Sequence, residues 1–101
     1  MQVVVGVGGC SVEDGANLRA LAASVRDGAD IVSSLGAAGR LDADGEHLWL
    51  SIDWLREAAV VTVPAEEQSA WRDGFAGMIA YAAKSGWVSA DCASVRAHLT
   101  T

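Results

Sequence analysis

A period of two in the pattern of hydrophobic and polar positions marks the middle of the chain. In the stretch 47–52 the even-numbered positions are the apolar residues Leu48, Leu50 and Ile52, and the odd-numbered positions are His47, Trp49 and Ser51. Such alternation predicts a strand with one apolar face. We expect the even-numbered side chains to face the core and the indole of Trp49 to point to the other side of the sheet.

The segments on either side of this strand predict a hairpin and a helix. Asp53 is a good N-cap residue, and the run 54–59 behind it has a helix-forming composition. The turn at 42–45, which ends in a glycine, joins Arg40 and Leu41 to the strand as a hairpin. The middle of the chain therefore predicts an antiparallel pair followed by a helix.

The first third of the chain predicts a strand and an amphipathic helix. Residues 2–7 are rich in β-branched side chains without alternation, which is typical of a strand covered on both faces. From Ser11 to Asp27 apolar residues recur three and four positions apart, which predicts a helix that Gly28 closes. Residues 30–35 then predict a short second strand, with a bend over the small residues 36–39 as the alternative.

The last third predicts one long and one short helix. Pro64 suits a first helical turn, and apolar residues follow it at helical spacing: Trp71, Phe75, Met78, Ile79 and Ala82. Gly74 and Gly77 each cost this helix on the order of 1 kcal/mol relative to alanine, which predicts close packing by a neighbour. Gly86 closes the helix, and Ser89 begins a short final helix that ends near His98. Residues 60–63 are either a brief strand or the tail of the preceding helix.

These elements predict an α+β fold in a single domain spanning residues 1–101. The expected sheet is small and mostly antiparallel, with about three strands, and the helices pack on one of its faces. With 101 residues the chain is long enough to bury a core without a metal or a disulfide. Its 51% apolar and 20% charged residues are typical of an ordinary soluble fold.

Charge and cysteine content narrow the classes of function. A formal net charge of −6 and an isoelectric point near 4.6 disfavour binding to nucleic acid. Cys10 and Cys92 lack the spacing of a zinc site, and buried free thiols are favoured over a bridge between them. The apolar run 3–7 is too short for a signal peptide or a membrane span, so we expect a cytoplasmic protein without membrane association. No cofactor is predicted.

The glycine-rich segment 6–11 is the first candidate site. It follows a predicted strand and opens a predicted helix, a geometry in which backbone N–H groups hold an anion. We therefore predict weak anion binding by Gly8, Gly9, Cys10 and Ser11. A structural turn is the favoured alternative, because the third glycine of GxGxxG and a P-loop lysine are both missing. Cys10 is interpreted as an inert thiol, since nothing in the sequence brings a histidine to it as a base.

Residues 3–25, VVVGVGGCSVEDGANLRALAASV, resemble the first strand, loop and helix of universal stress proteins, which have a sequence similar to VVVGVDGS at that point. Gly8 and Gly9 stand where that family has an Asp-Gly pair, and the loop ends in Cys10. The rest of the chain lacks the glycine-rich nucleotide loop of the family and is too short for its five-stranded sheet. We therefore interpret the resemblance as convergence, because any strand–turn–helix unit would show it.

Two polar sets are interpreted as solvated surface. Asp91, Ser94 and His98 share one face of the predicted final helix, but one short helix cannot aim three side chains at a common substrate. The acidic turn at 42–46 lacks the pattern of an EF-hand calcium loop. No metal site and no catalytic residue are predicted.

Tryptophan content is the feature that stands out, with four in a chain that has one Phe and one Tyr. Large aromatic side chains are enriched at interface anchors and in ligand pockets. Trp71 belongs to the apolar stripe of the long helix and is predicted to be core. Trp49, His47 and Ser51 are predicted on the sheet face that the helices leave open, where a second subunit, another partner or the chain ends would cover the indole.

Two functions follow from this pattern. The first and favoured one is a non-catalytic interaction or regulatory domain, a homodimer that buries the sheet face carrying Trp49. The second is a small ligand-binding protein or small enzyme with a pocket between the sheet and the long helix. That pocket would be lined by Trp49, Trp54 and Trp71, with His47 or Asp53 as the polar group.

Overall fold

The computed structural model describes residues 1–26, 28 and 30–100. Within them the chain forms a six-stranded mixed sheet, curled into a half-barrel, together with three helices. The strands are β1 (Gln2–Gly6), β2 (Gly9–Glu13), β3 (Ala22–Val25), β4 (Gly39–Leu41), β5 (His47–Ser51) and β6 (Ser94–Thr100). The helices are α1 (Ile31–Leu35), α2 (Ile52–Val60) and α3 (Gln68–Lys84), with 3₁₀ turns at Gly36–Ala38 and Ala65–Glu67.

The strands follow the order β2-β1-β3-β6-β5-β4 across the sheet. The central strands β1, β3 and β6 run parallel to one another, whereas β2 is antiparallel to β1, β5 to β6 and β4 to β5. The prediction of a small, mostly antiparallel sheet of about three strands is therefore wrong. The additional strands β2, β3 and β6 come largely from segments whose apolar spacing predicts helices.

The helix predicted from Ser11 to Asp27 is replaced by β2, a loop and β3, and its last residue lies outside the described residues. Pairing with β1 across the whole length of β2 overrides the weak helix propensity of this segment. The loop between β2 and β3 is held by the N-terminal ammonium group, which donates to the carbonyls of Asn17 and Ala20 at 2.8 and 2.9 Å. Leu18 and Leu21, spaced like helix residues, instead pack from this loop against the core.

Residues 31–35, predicted as part of a strand, form the one-turn helix α1, and the 3₁₀ turn at Gly36–Ala38 follows where the bend was the alternative. The carboxylate of Asp30 caps it by accepting from the N–H of Val32 at 3.1 Å. This helix contacts both β2 and β4, the two edge strands of the sheet. Both edges therefore bend toward α1, which accounts for the curl of the sheet.

The predicted final helix is the strand β6, so Asp91, Ser94 and His98 do not share a helical face. Val95, Ala97 and Leu99 are buried, while the residues between them are not. Alternation with a period of two is thus present in this segment, and the three- and four-residue spacings that predict a helix are incidental.

The predicted hairpin and the long helix are confirmed as β4–β5 and α3, except that Ile52, predicted in the strand, is the first residue of α2. The cap of α2 differs from the prediction, because Ser51 rather than Asp53 precedes the helix and its Oγ accepts from the N–H of Trp54 at 3.2 Å. Val60 is the last residue of α2, so residues 60–63 are not a strand.

The core lies between the inner face of the curled sheet and the helices. Leu48 and Leu50 of β5 are fully buried there with Val3 and Val5 of β1, and α2 adds Leu55. No helix among the described residues combines the length and the apolar character needed to cross a bilayer.

Candidate functional site

The predicted side-chain alternation along β5 is confirmed. Leu48 and Leu50 have no exposed surface, whereas His47, Trp49 and Ser51 are partly exposed. Trp49 lies opposite Arg96 of β6 on one side and Arg40 of β4 on the other. The Arg40 guanidinium is 5.6 Å from the centroid of the Trp49 ring, a cation–π contact that covers part of the indole.

The three tryptophans of the predicted pocket do not line a common cavity. Trp71 is core, as predicted: it is 5% exposed, its Nε1–H donates to the carbonyl of Gly15 at 2.7 Å, and its ring stacks on Phe75. Trp54 packs from α2 against the core. The three cavities described here include none of Trp49, Trp54 and Trp71 among their lining residues.

The glycine-rich segment turns β1 back into β2, so no helix follows it and the strand–turn–helix interpretation is wrong. Gly8 sits in the turn with φ of 86°, a conformation that favours glycine, and Gly9, Cys10 and Ser11 belong to β2. The predicted anion binding at this segment therefore lacks the helix N-terminus on which the prediction depends. A cavity of about 310 Å³ does lie here, but Arg26, which lines it, is ion-paired with Glu13 at 3.1 Å.

Both cysteines are free thiols. Cys10 is partly buried, its thiol donates to the carbonyl of Ser34 at 3.3 Å, and burial raises its pKa. A raised pKa disfavours the thiolate, which agrees with an inert thiol. Cys92 is exposed rather than buried as predicted.

One edge of β6 is covered by two separate segments, and a groove opens where they meet. Near the start of β6, Val88 bridges to Val95, and the N–H of Arg96 donates to the carbonyl of Trp87 at 2.7 Å. Toward its end β6 pairs with β3, beginning where Ala22 lies opposite His98. The sheet is therefore interrupted beside residues 96 and 97.

Two adjoining cavities occupy this interruption. The larger, of about 370 Å³, lies between α3, the loop before β3 and β6, and its apolar walls are Leu18, Ala20, Leu21, Met78, Tyr81, Ala82, Trp87 and Val95. The smaller, of about 230 Å³, is lined by Leu21, His47, Trp87, Arg96 and His98. Because Leu21, Trp87 and Arg96 line both, we treat the two as one site. This site is called the Trp87 groove, with an apolar end and a polar end.

The end of α3 sets the position of Trp87. Gly86 has φ of 81°, its N–H donates to the carbonyl of Ala83, and the N–H of Trp87 donates to the carbonyl of Ala82 at 2.8 Å. This is the hydrogen-bond pattern of a Schellman motif, in which the residue after the glycine packs back on the last helical turn. The Trp87 ring accordingly meets Tyr81 edge to face at 6.0 Å between centroids. Both the N–H and the carbonyl of Trp87 are therefore hydrogen-bonded, which fixes the main chain of the residue that forms this wall of the groove.

Ion pairs organise the polar end. Arg96 donates from Nε to Asp42 at 3.1 Å and from Nη2 to Asp44 at 2.8 Å. The Nδ1 of His47 is 2.8 Å from the same carboxylate and 3.3 Å from Nη2 of Arg96. The shorter contact favours the tautomer in which Nδ1–H donates to Asp44 and Nε2 carries the lone pair. The ring of His98 lies edge-on to that of His47, with centroids 5.2 Å apart.

Asp44 stays ionised well below neutral pH. A hydrogen bond from the N–H of Glu46 is the main cause that lowers its pKa to about 2, and contacts with His47 and Arg96 act in the same direction. The negative charge that orients His47 and Arg96 is therefore present throughout the physiological range.

Asp42, Asp44 and His47 bring three metal-ligand atoms within 4.8 Å of one another. The guanidinium of Arg96 already binds both carboxylates from within the chain. A metal ion would have to displace this internal cation, and we assign no metal here.

Sequence reasoning overlooked most of the groove. Two signals for it were available: the alternation along 94–100 puts Arg96 and His98 on one face of a strand, and a glycine followed by a large aromatic residue after a helix is typical of a Schellman motif. No signal pointed to Leu21, because its place depends on where the loop before β3 runs.

Neither the models of protein families, nor the curated proteins, nor the solved structures contain a match to this chain.

Proposed function

We propose that the protein binds a small amphipathic molecule in the Trp87 groove. The observation that carries the proposal is that an apolar cavity of about 370 Å³ and a cavity of about 230 Å³ lined by Arg96 and two histidines share three lining residues. Ligand sites in proteins are concave, mostly apolar and supplied with a few polar groups that fix orientation. The groove has this composition, with His47, Arg96 and His98 lining its smaller cavity and Arg19 lining the larger one.

The state of Trp87 supports the proposal. Trp87 is 44% exposed although it lies among apolar side chains, so a ligand would remove apolar surface from water. Because the Schellman motif and the bridge to β6 already hold the main chain of this residue, little ordering entropy is lost on binding. We thus propose a binding site at a different place from the predicted pocket between the sheet and the long helix. Trp87 takes the role that was predicted for Trp49, Trp54 and Trp71.

Titration with N-phenylnaphthylamine, a neutral dye that fluoresces in apolar surroundings, tests this proposal. We expect saturable binding by the natural protein and an affinity lower by about tenfold or more in Trp87→Ala, since the variant loses an aromatic wall. Val61→Ala is the matched control, because Val61 is 76% exposed and lies outside the groove. Equal affinities of the two variants would refute the proposal.

Self-association as an interaction domain, through the sheet face that carries Trp49, is a second candidate. It is supported by the partial exposure of Trp49, His47 and Ser51 on the side of β5 opposite the core. Light scattering coupled to size-exclusion chromatography tests it. A dimer is expected that dissociates in Trp49→Ala but persists in Trp87→Ala, and a natural protein that is monomeric at every concentration rules this candidate out.

We also propose that the protein acts in the cytoplasm. Two free cysteines, one of them exposed, support a reducing compartment. Fractionation of cells that express the tagged natural chain tests this location.

A further inference from the structure

We infer that the ligand of the Trp87 groove is an uncharged hydroxyl compound, an apolar ring or chain whose single hydroxyl group accepts a hydrogen bond from Arg96 and donates one to His47. The inference rests on the proposed function and adds to it the charge, the polar group and the orientation of the ligand.

The charges around the groove disfavour a charged ligand of either sign. The carboxylates of Asp42 and Asp44 both pair with Arg96, so an anion would meet a guanidinium whose charge is already more than compensated. A cation would meet Arg96 and Arg19, and no acidic residue among the described ones lines either cavity. Because moving an ion out of water is costly without a partner of opposite charge, the groove favours an uncharged ligand.

Asp44 also has no acceptor site left for a ligand. Its Oδ1 accepts from the N–H groups of Glu46 and His47 at 2.8 and 3.2 Å. Its Oδ2 accepts from Nδ1 of His47 and from Nη2 of Arg96, each at 2.8 Å. A carboxylate has about four lone-pair sites, so these bonds use all of them. The carboxylate therefore acts on a ligand only through the two side chains that it holds in place.

Those two side chains each keep a hydrogen-bonding group for the ligand, and the two groups differ in kind. No acceptor among the described residues bonds to Nη1 of Arg96, which remains a donor. Because Nδ1–H of His47 is directed to Asp44, Nε2 is left as an acceptor. The side chains are in contact, with Nη2 of Arg96 3.3 Å from Nδ1 of His47. A donor and an acceptor side by side match a hydroxyl group, which accepts and donates at one oxygen atom.

The place of this donor and acceptor sets the orientation of the ligand. His47 lines only the smaller cavity, Met78 and Ala82 of α3 line only the larger one, and Trp87 lines both. A hydroxyl group bound at His47 therefore directs the apolar body of the ligand past Trp87 toward α3.

A series of matched compounds tests the inference: para-tert-butylphenol and its toluene, anisole, benzoate and benzylamine counterparts. Each displaces N-phenylnaphthylamine from the natural protein at about pH 8, where imidazole is ordinarily unprotonated. The phenol should bind about tenfold more tightly than the toluene, because it adds two hydrogen bonds to the same apolar body. The anisole, which accepts but does not donate, should lie between them. The benzoate and the benzylamine should each bind about tenfold more weakly than the phenol.

Two leucine variants test the role of His47 as the acceptor. His47→Leu removes Nε2 and leaves the carboxylate partners of Arg96 in place, so the preference for the phenol over the anisole should fall to within about twofold. His98→Leu is the matched control, because it removes the other imidazole of the smaller cavity, and it should keep the preference. The affinity for the toluene should be unchanged in both variants, which shows that the groove is intact.

A phenol that binds no more tightly than the toluene overturns the inference, as does a benzoate or a benzylamine that binds more tightly than the phenol. Loss of the phenol preference in His98→Leu but not in His47→Leu overturns it as well. These results refute the inference alone as long as dye binding responds to Trp87→Ala. If dye binding does not respond to Trp87→Ala, the proposed function itself fails.

Discussion

The four tryptophans occupy four different environments, although the residue type is the same. Trp71 is in the core with its N–H bonded to a carbonyl, Trp54 is half-buried on α2, and Trp49 lies on the sheet face under Arg40. Trp87 alone stands in a groove, because a glycine with positive φ reverses the chain just before it. The abundance of tryptophan predicted a binding surface, and the backbone around each one decided which tryptophan lines a groove.

Asp44 yields a prediction about acid stability. Its pKa is lowered to about 2 in the folded chain, below the value of about 4 expected in the unfolded chain. The folded state therefore favours the ionised form, and the stability that this provides is complete above about pH 4 and is lost as the pH falls toward 2. We expect the urea midpoint of Asp44→Asn to change less than that of the natural protein over this interval. Asp73→Asn, an exposed carboxylate on α3, serves as the control and should retain the natural pH dependence.

At the scale of elements, α3 illustrates how far a helix can be predicted from its own residues. Its apolar spacing predicted its existence correctly, because the buried residues Trp71, Phe75 and Ala82 recur at the helical period. The predicted close packing at its two glycines is correct for Gly74, where an added Cβ would lie 2.6 Å from Cδ1 of Leu18. It is wrong for Gly77, which has nothing within 4 Å of such a Cβ.

The two glycines therefore respond differently to alanine. Gly77→Ala should raise the free energy of unfolding by up to about 1 kcal/mol, because alanine restricts the unfolded chain and meets no neighbour. Gly74→Ala should raise the free energy of unfolding by less, or lower it, because the added methyl group would lie too close to the side chain of Leu18. Urea unfolding followed by circular dichroism measures both, and a larger gain at Gly74 than at Gly77 would contradict the packing described for this helix.

The strands β2, β3 and β6 show the opposite case, in which local residues were misleading. Ala, Leu and Arg between residues 16 and 26 favour a helix weakly, and hydrogen bonds to β1 and β6 outweigh that preference. Strand formation in these segments depends on partners far away in the sequence. The residues within one or two turns of a position carry no information about such partners.

At the scale of the whole molecule, the last strand is central to the sheet. β6 lies between β3 and β5 and supplies Val95, Ala97 and Leu99 to the core. Without it the two halves of the sheet, β2-β1-β3 and β5-β4, have no common strand. The core therefore cannot close until the C-terminal residues are in place.

A chain that ends at residue 93 should consequently lack a cooperative unfolding transition, because its buried apolar surface and its sheet are both incomplete. A chain that ends at Leu99 should keep that transition, since Thr100 is exposed at the end of β6. Thermal unfolding followed by circular dichroism distinguishes the two. Cooperative unfolding of the shorter chain would mean that β6 is dispensable for the fold.

The sequence by itself determined the elements whose patterns arise from local periodicity: the β4–β5 hairpin with its alternating faces, the helix α2 that follows it, and the long helix α3. The tertiary structure alone decided that β2, β3 and β6 are strands and that the sheet curls toward α1. It also decided that the groove forms at Trp87, where the loop before β3 and the end of α3 meet along β6. The physical reason is that periodicity reports which side of an element is buried, whereas strand pairing and cavities depend on which distant segments meet.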